Sequence, residues 1–207
     1  LENYFYISES NRNVIAIVDY GVGNLKSITK AIDKAGGKVK ITRDPVDIES
    51  ADAIILPGVG AVKPALEKLR EIEGLIRKTD VPVMGICLGM QLFATESLEG
   101  GRHRCLNTIP GVVKKIPQNA GKIPHMGWNE IKIVRKHPIL AGINDLSYVY
   151  FVHSYYLDTD ENFVLTKTTY GIDFPSSVVK DNFIGFQFHP EKSGDVGLKI
   201  IENFVEM

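Results

Sequence analysis

Cysteine is scarce in this chain of 207 residues: there are two, Cys87 and Cys105, and they form no C-x-x-C pair. That argues against a disulfide framework and a thiolate metal cluster, and it fits a reducing cytoplasm. Charge of one sign is not in excess either. Lys and Arg number 24 against 25 Asp and Glu, a formal net charge of -1, which argues against a generally basic nucleic-acid surface. No apolar run approaches the length needed to span a bilayer, and the N-terminal stretch lacks the basic-then-apolar order of a secretory signal. Repeats, low-complexity tracts and Ser/Gly-rich linkers are also missing. A single domain with a sizeable core is therefore expected over residues 13–207. Residues 1–12, polar and aromatic without a clear period, are set aside as a native extension or a tag remnant.

The whole chain is 44% hydrophobic and 24% charged, ordinary for a globular domain. The expected domain begins in an α/β manner. Val14-Ile15-Ala16-Ile17-Val18 is a β-branched run fit for a central strand. Asn24 is placed to cap a helix with Leu25, Ile28, Ala31, Ile32 and Ala35 on one face, stopped by Gly36-Gly37. Strands are expected at 38–42, 51–56 and 81–86, and a helix at 64–77. The Gly21-Val22-Gly23 piece lacks the third glycine of a dinucleotide fingerprint. Beyond Gly100 helices become rare. Strand-like runs at 111–116, 129–134, 148–153, 163–169, 176–180 and 183–188 suggest hairpins extending or flanking the sheet. Residues 195–207 should form a closing helix through Val196, Ile200, Ile201 and Phe204.

Chemistry is concentrated in Pro82-Val83-Met84-Gly85-Ile86-Cys87-Leu88-Gly89-Met90-Gln91. A buried strand runs into a helix opening at 88–93, with Cys87 at the corner between Gly85 and Gly89. This is the G-x-C-x-G form of the nucleophile elbow. A thiol there faces the positive end of the helix peptide dipoles, which favours the thiolate. A buried structural cysteine has the same appearance until a base is found. Pro57-Gly58-Val59-Gly60, after the strand ending at Leu56, is either a plain tight turn or a loop whose amides approach a substrate oxygen. The base arrives in Phe186-Gln187-Phe188-His189-Pro190-Glu191. His189 falls at a strand end, and Glu191 lies two residues on, within reach of the imidazole around a turn. Cys87, His189 and Glu191 would then supply nucleophile, general base and orienter. His125, His137 and His153 each lack a nearby acid in such a turn, and Cys105 lacks an elbow.

Gly85-Ile86-Cys87-Leu88-Gly89-Met90-Gln91 with Phe188-His189-Pro190-Glu191 resembles the class I, triad-type glutamine amidotransferases. Three further motifs narrow the likeness: Pro57-Gly58-Val59-Gly60, Pro124-His125-Met126-Gly127-Trp128-Asn129 and Tyr150-Phe151-Val152-His153-Ser154-Tyr155. They are similar to those of the glutaminases that serve imidazole glycerol phosphate synthase in histidine biosynthesis. The likeness runs from about residue 14 to the C-terminus with its motifs in order. It implies a flavodoxin-like α/β fold, with a central, mostly parallel sheet flanked by helices and additional antiparallel strands in the C-terminal half. Two segments depart from the family pattern, Phe93-Ala94-Thr95-Glu96 and 102–107, and neither touches the expected triad.

The resemblance also implies a reaction. Cys87 attacks the carboxamide of glutamine, His189 passes a proton to the departing ammonia, and the thioester is hydrolysed to glutamate. Gly58, Val59, Gly60 and Leu88 belong to the oxyanion and substrate loops. Gln91, Glu99, Ser154 and Tyr155 would hold glutamine, Glu99 by pairing with its ammonium, although a solvated helix-end acid is the plain alternative. No cofactor and no metal are expected. The implied partner is a cyclase subunit with a (β/α)8 barrel, joined as a heterodimer that receives the ammonia. Its docking surface would include Asn24, His125, Met126, Trp128, Tyr150 and Lys192. Two rivals stay open: a triad glutaminase of another synthase, of the anthranilate or pyridoxal phosphate type, and a catalytically silent binding domain of the same fold.

Overall fold

The computed structural model describes residues 13–21 and 24–207. The expected extension at 1–12 and the Val22-Gly23 part of the glycine-containing turn lie outside the described residues. The N-terminal half alternates strand and helix. β1 (Val14–Val18) leads to α1 (Leu25–Lys34), then β2 (Lys38–Thr42), α2 (Pro45–Glu49) and β3 (Ala53–Leu56). α3 (Val62–Leu69), α4 (Glu73–Lys78), β4 (Val83–Ile86) and α5 (Leu88–Leu92) follow. α1 starts where expected: the Asn24 side chain accepts from the Ser27 amide, and Ile28 and Ile32 are buried. α2 was not anticipated. Asp44 caps it by accepting from the Val46 amide, with Pro45 in the first turn, where a missing N–H costs nothing. The helix expected at 64–77 is two helices, because the chain turns between Leu69 and Glu73 and starts α3 two residues earlier.

The C-terminal half is strand-rich. It contains β5 (Glu96–Ser97), β6 (His103–Arg104), β7 (Gly111–Lys115), β8 (His125–Ile133) and β9 (Ser147–His153). β10 (Tyr155–Thr159), β11 (Val164–Thr169), β12 (Asp173–Lys180) and β13 (Phe183–Phe186) follow, and α6 (Gly194–Val205) closes the chain. Nine strands make one sheet in the order β2-β1-β3-β4-β13-β12-β11-β8-β9. The first five are mutually parallel, in the flavodoxin-like order 2-1-3-4-5. The last four continue the sheet antiparallel. β10-β7-β5-β6 form a separate small sheet.

Strand periodicity sorts the core onto two faces. Ile15 and Ile17 of β1 and Ile55 of β3 pack with Ile28 and Ile32 of α1 and with Ile200, Ile201 and Phe204 of α6. The alternate residues Val18, Ile54 and Leu56 face Ala65, Leu69, Ile76, Leu88 and Met90 of α3, α4 and α5. Val113 of β7 and Leu157 of β10 join that second face, so the small sheet completes its cover. Both faces of the inner parallel strands are thus buried, which is why β1, β3, β4 and β13 read as apolar runs, whereas β2, at the sheet edge, is largely exposed.

The two segments that depart from the family pattern turn out to be partners. β5 and β6 pair antiparallel, Glu96 with Arg104 and Ser97 with His103. Arg102 holds both carboxylate oxygens of Glu96, at 2.6 and 3.0 Å. The Asn107 amide reaches the Ala94 carbonyl at 2.8 Å, and Ala94 is fully buried. A small residue at 94 lets the returning segment lie on this turn.

Candidate active site

The loops after β3, β4 and β13, three neighbouring strands, meet at the carboxyl edge of the parallel sheet. Cys87 forms the corner between β4 and α5, with φ 51° and ψ −103°. Such a conformation costs a non-glycine residue on the order of 1–3 kcal/mol and persists only when its surroundings over-determine it. Here they do. The Cys87 amide donates to the Phe186 carbonyl at 2.7 Å, and its own carbonyl accepts from the Gln91 amide at 3.1 Å. The corner also presses on the loop after β3: a β-carbon on Gly58 would lie 2.2 Å from the Ile86 carbonyl oxygen and 2.5 Å from the Leu88 nitrogen. Tyr20, fully buried after β1, donates its hydroxyl to the Pro57 carbonyl. Burial, and then the nearby Cys87, push that phenol far above its ordinary range.

His189 follows β13 and is 1% exposed. Its amide donates to the Tyr150 carbonyl of β9 at 2.9 Å. Its Nδ1 meets Glu191 Oε1 at 2.9 Å, with both side chains almost wholly buried. Glu191 reaches it because Pro190–Lys192 form a 3-10 turn, the turn that the two-residue spacing requires. Ser193, which sequence reasoning did not single out, locks the unit. Its hydroxyl donates to the His189 carbonyl at 2.7 Å and accepts from the Tyr150 amide at 3.0 Å. Burial pulls the His189 imidazole towards neutrality, but Cys87 and Glu191 outweigh it and raise the pKa to about 9. His189 Nε2, the ring nitrogen not taken by Glu191, makes no hydrogen bond among the described residues.

A pocket of about 290 Å3 opens on Cys87. Val59, Gly60, Leu88, Gln91, Glu99, Ser154 and Tyr155 are among the residues that line it. Of the expected substrate residues only Gly58 is not on the wall, since it is packed beneath against the elbow backbone. Glu99 is no free helix-end acid: its Oε2 accepts from the Val62 amide at 2.8 Å, at the start of α3, which has no side-chain cap of its own. Val152 and His153 also face the pocket. His153, passed over in the sequence, donates or accepts at two places: Nδ1 lies 2.8 Å from the Tyr155 carbonyl, and Nε2 lies 3.0 Å from Nδ1 of His125. A carbonyl only accepts, so His153 carries its proton on Nδ1, and His125 donates to it. Asn129 Nδ2, 3.3 Å away, then donates to His125 Nε2.

A strained thiol at a strand-to-helix corner, a buried His–Glu pair behind it and a polar pocket in front can together perform acyl transfer through a covalent thioester. Residues 16–207 match the family described as Glutamine amidotransferase class-I. The chain is 60% identical over 194 residues to the imidazole glycerol phosphate synthase subunit HisH of Archaeoglobus fulgidus, covering 94% of this chain and 98% of that protein. It belongs to the class-I glutamine amidotransferases, in the HisH family. A HisH protein of Methanocaldococcus jannaschii is 49% identical over 197 residues, covering 94% of this chain and 100% of the relative. The fold is similar to that of PurLQS from Thermotoga maritima, with a TM-score of 0.75 at 16% identity, covering 95% of this chain and 99% of the other.

In this HisH-family amidotransferase, β8 and β9 present an aromatic face beside the pocket. Met126, Trp128 and Tyr148 are 62%, 56% and 58% exposed. Trp128 meets Tyr150 edge-on with ring centroids 6.1 Å apart, and Lys192 Nζ lies over the Tyr150 ring at 5.8 Å. Asn24 is exposed at the start of α1. His125 is a correction to the expected docking set: it is 3% exposed, because it points inward and stacks on Phe151 and Tyr170. No helix among the described residues is long and apolar enough to cross a membrane.

Proposed function

We propose that this chain is the glutaminase subunit of an imidazole glycerol phosphate synthase, with Cys87, His189 and Glu191 as its triad. The observation that carries the reading is the buried His189–Glu191 contact of 2.9 Å behind a cysteine held at positive φ. Cys87 attacks the side-chain carbonyl carbon of glutamine as the thiolate. The tetrahedral oxyanion is met by the backbone amides of Val59 and Leu88. As the C–N bond breaks, the His189 imidazolium gives its proton to the nitrogen, and ammonia leaves a thioester on Cys87. Water then attacks that thioester while His189 takes its proton, and glutamate departs as the sulfur is restored. Glu191 holds the imidazole in the tautomer that serves both steps and supports its positive charge.

Glutamine lies in the pocket lined by Gln91, Glu99, Ser154 and Tyr155, with its ammonium at Glu99. Ammonia released to water would be lost, so a cyclase subunit with a (β/α)8 barrel covers the site as a one-to-one heterodimer in the cytoplasm. It docks on Met126, Trp128, Tyr150, Lys192 and Asn24 and carries the ammonia to a ribulosyl phosphate nucleotide. The products there are imidazole glycerol phosphate and an aminoimidazole carboxamide ribonucleotide. The deciding experiment measures glutamate formed from glutamine with and without the cyclase subunit and its nucleotide, beside Cys87→Ala. Strong activation by the liganded cyclase, abolished in the variant, is expected. Turnover that ignores the cyclase would reassign the protein to another synthase. No turnover under any condition would mark a silent binding domain.

A further inference from the structure

We infer that Gln187 is a catalytic residue of this site, donating a hydrogen bond to the Cys87 sulfur, with the Tyr155 carbonyl dictating which end of its amide does so. The inference rests on Cys87 being the nucleophile. Gln187 is completely buried, between β13 and His189, and its backbone amide is already used by the Ser176 carbonyl at 2.9 Å. A primary amide carries an acceptor oxygen and a donor nitrogen that only its neighbours can orient. The neighbours here leave one solution. The Tyr155 carbonyl can only accept, and Gln91 approaches it at 2.9 Å, so Gln91 must present its amino group. The same amino group lies 3.0 Å from Gln187, which must therefore answer with its carbonyl oxygen. That leaves the Gln187 amino group on the other side, 3.6 Å from Cys87 Sγ. Reversing either amide would set two oxygens or two amino groups against each other in a buried site.

A donor fixed at this place favours charge on sulfur. The thiol can accept from Gln187 while turning its S–H towards the Val152 carbonyl at 3.8 Å. The thiolate gains more from the same donor, because hydrogen bonds to charged groups are the stronger ones. A thioester sulfur carries no such charge, so the interaction weakens on acylation. It returns as the C–S bond breaks and thiolate leaves in the hydrolytic step. The titratable groups around the sulfur are His189 and Glu191 beyond β13, Tyr20 after β1, His153 on β9 and Glu99 across the pocket. Replacing Gln187 leaves each of these side chains in place, but a replacement without an oxygen also removes the acceptor that Gln91 uses, so two variants are needed.

The test is the pH profile of Cys87 alkylation by chloroacetamide in wild type, Gln187→Met and Gln187→Glu, with a glutamine-analogue diazoketone as the site-directed label. Methionine keeps the length without a donor and should move the alkylation midpoint up by about one pH unit, roughly a ten-fold slower rate at pH values below the wild-type midpoint. The plateau at high pH should be unchanged or higher, since a less stabilised thiolate is the stronger nucleophile. Glutamate keeps the acceptor towards Gln91 and turns a negative oxygen on the sulfur, so its midpoint should rise further. In the wild type, the Gln187 side-chain amide signal should shift when Cys87 is alkylated, which needs no variant to fold. An unchanged midpoint in both variants, or a signal blind to alkylation, overturns the role of Gln187 while leaving the triad standing. Failure of the diazoketone to label Cys87 in the wild type overturns both readings together.

Discussion

Gly89 lies so close to Leu56 that a β-carbon on it would sit 2.0 Å from the Leu56 carbonyl oxygen. Two backbones, the end of β3 and the first turn of α5, are therefore in direct contact at the elbow. Nothing flexible stands between them that could yield. The glycine is required by this approach, and the same contact keeps the loop carrying Val59 in register with Cys87.

Gly89→Ala should therefore act on both stability and chemistry. Overpacking of a tight interior ordinarily costs about 1–3 kcal/mol, and a clash with backbone should fall at the upper end. Thermal unfolding should show a lowered midpoint. Labelling of Cys87 by the diazoketone in still-folded protein should slow by at least ten-fold. A variant that labels at the wild-type rate would show that the elbow does not set the site.

His189 and Glu191 make a second prediction, whose sign follows from the raised imidazole. Between the ordinary 6.5 and about 9 the folded chain holds a proton that the unfolded chain has lost. This contribution to stability is full below pH 6.5 and is lost as pH rises through 9. Glu191→Gln removes the supporting carboxylate, so the His189 titration followed by NMR should shift down from about 9. Stability at pH 8 should fall with it, and glutaminase activity by about a hundred-fold or more. A titration midpoint that does not move would remove Glu191 from its orienting role.

His125 and His153 predict the opposite pH dependence. Burial lowers His125 from 6.5 to about 4 and, helped by the neighbouring histidines, lowers His153 to about 3. Their hydrogen-bonded chain works only with both rings neutral, for each nitrogen pair needs one donor and one acceptor. Here the unfolded chain binds the extra protons. Stability is full above pH 6.5 and falls as pH drops towards 4, by at most about 1.4 kcal/mol per pH unit for each ring. Urea midpoints at pH 7 and pH 5 should therefore differ strongly in the wild type and less in His153→Gln. Equal pH sensitivity in the two proteins would assign acid lability to other groups.

The parallel half was legible because its inner strands, buried on both faces, announce themselves as apolar runs such as Val14–Val18. β10 was not. Only Ser154 separates it from β9, yet there the chain leaves the nine-stranded sheet and enters the small one, with no glycine or proline to mark the change. The break between α3 and α4 was hidden for the same reason: residues 70–72 contain no breaker. At the site, the elbow and the His189-Pro190-Glu191 turn are local geometry and could be read directly. Glu99, in the loop after β5, and Tyr155, at the start of β10, come to one pocket from distant parts of the chain, and only the family resemblance proposed them. Gln187 and Ser193 were not singled out and His153 was set aside, because the contacts that tie them to Cys87, Tyr150 and His125 are hydrogen bonds between segments far apart in the chain, to which spacing gives no clue.

Trp128 carries the last prediction. The proposed partner must recognise this face without disturbing a triad that lies beyond it, and the strand pairing separates the two tasks. On β8, Met126 and Trp128 point outward while His125 turns inward, and Trp128 stands opposite Tyr150 of β9. Tyr150 in turn uses its backbone to hold His189 and Ser193. Trp128→Ala removes a large exposed anchor but leaves that backbone untouched. Its expected cost in cyclase binding is about 2 kcal/mol, roughly a thirty-fold rise in Kd. Alkylation of Cys87 in the isolated subunit should be unchanged, and turnover at saturating cyclase should largely recover. Unaltered affinity would move the docking surface elsewhere. Slower alkylation would mean instead that Trp128 supports the site from within the fold.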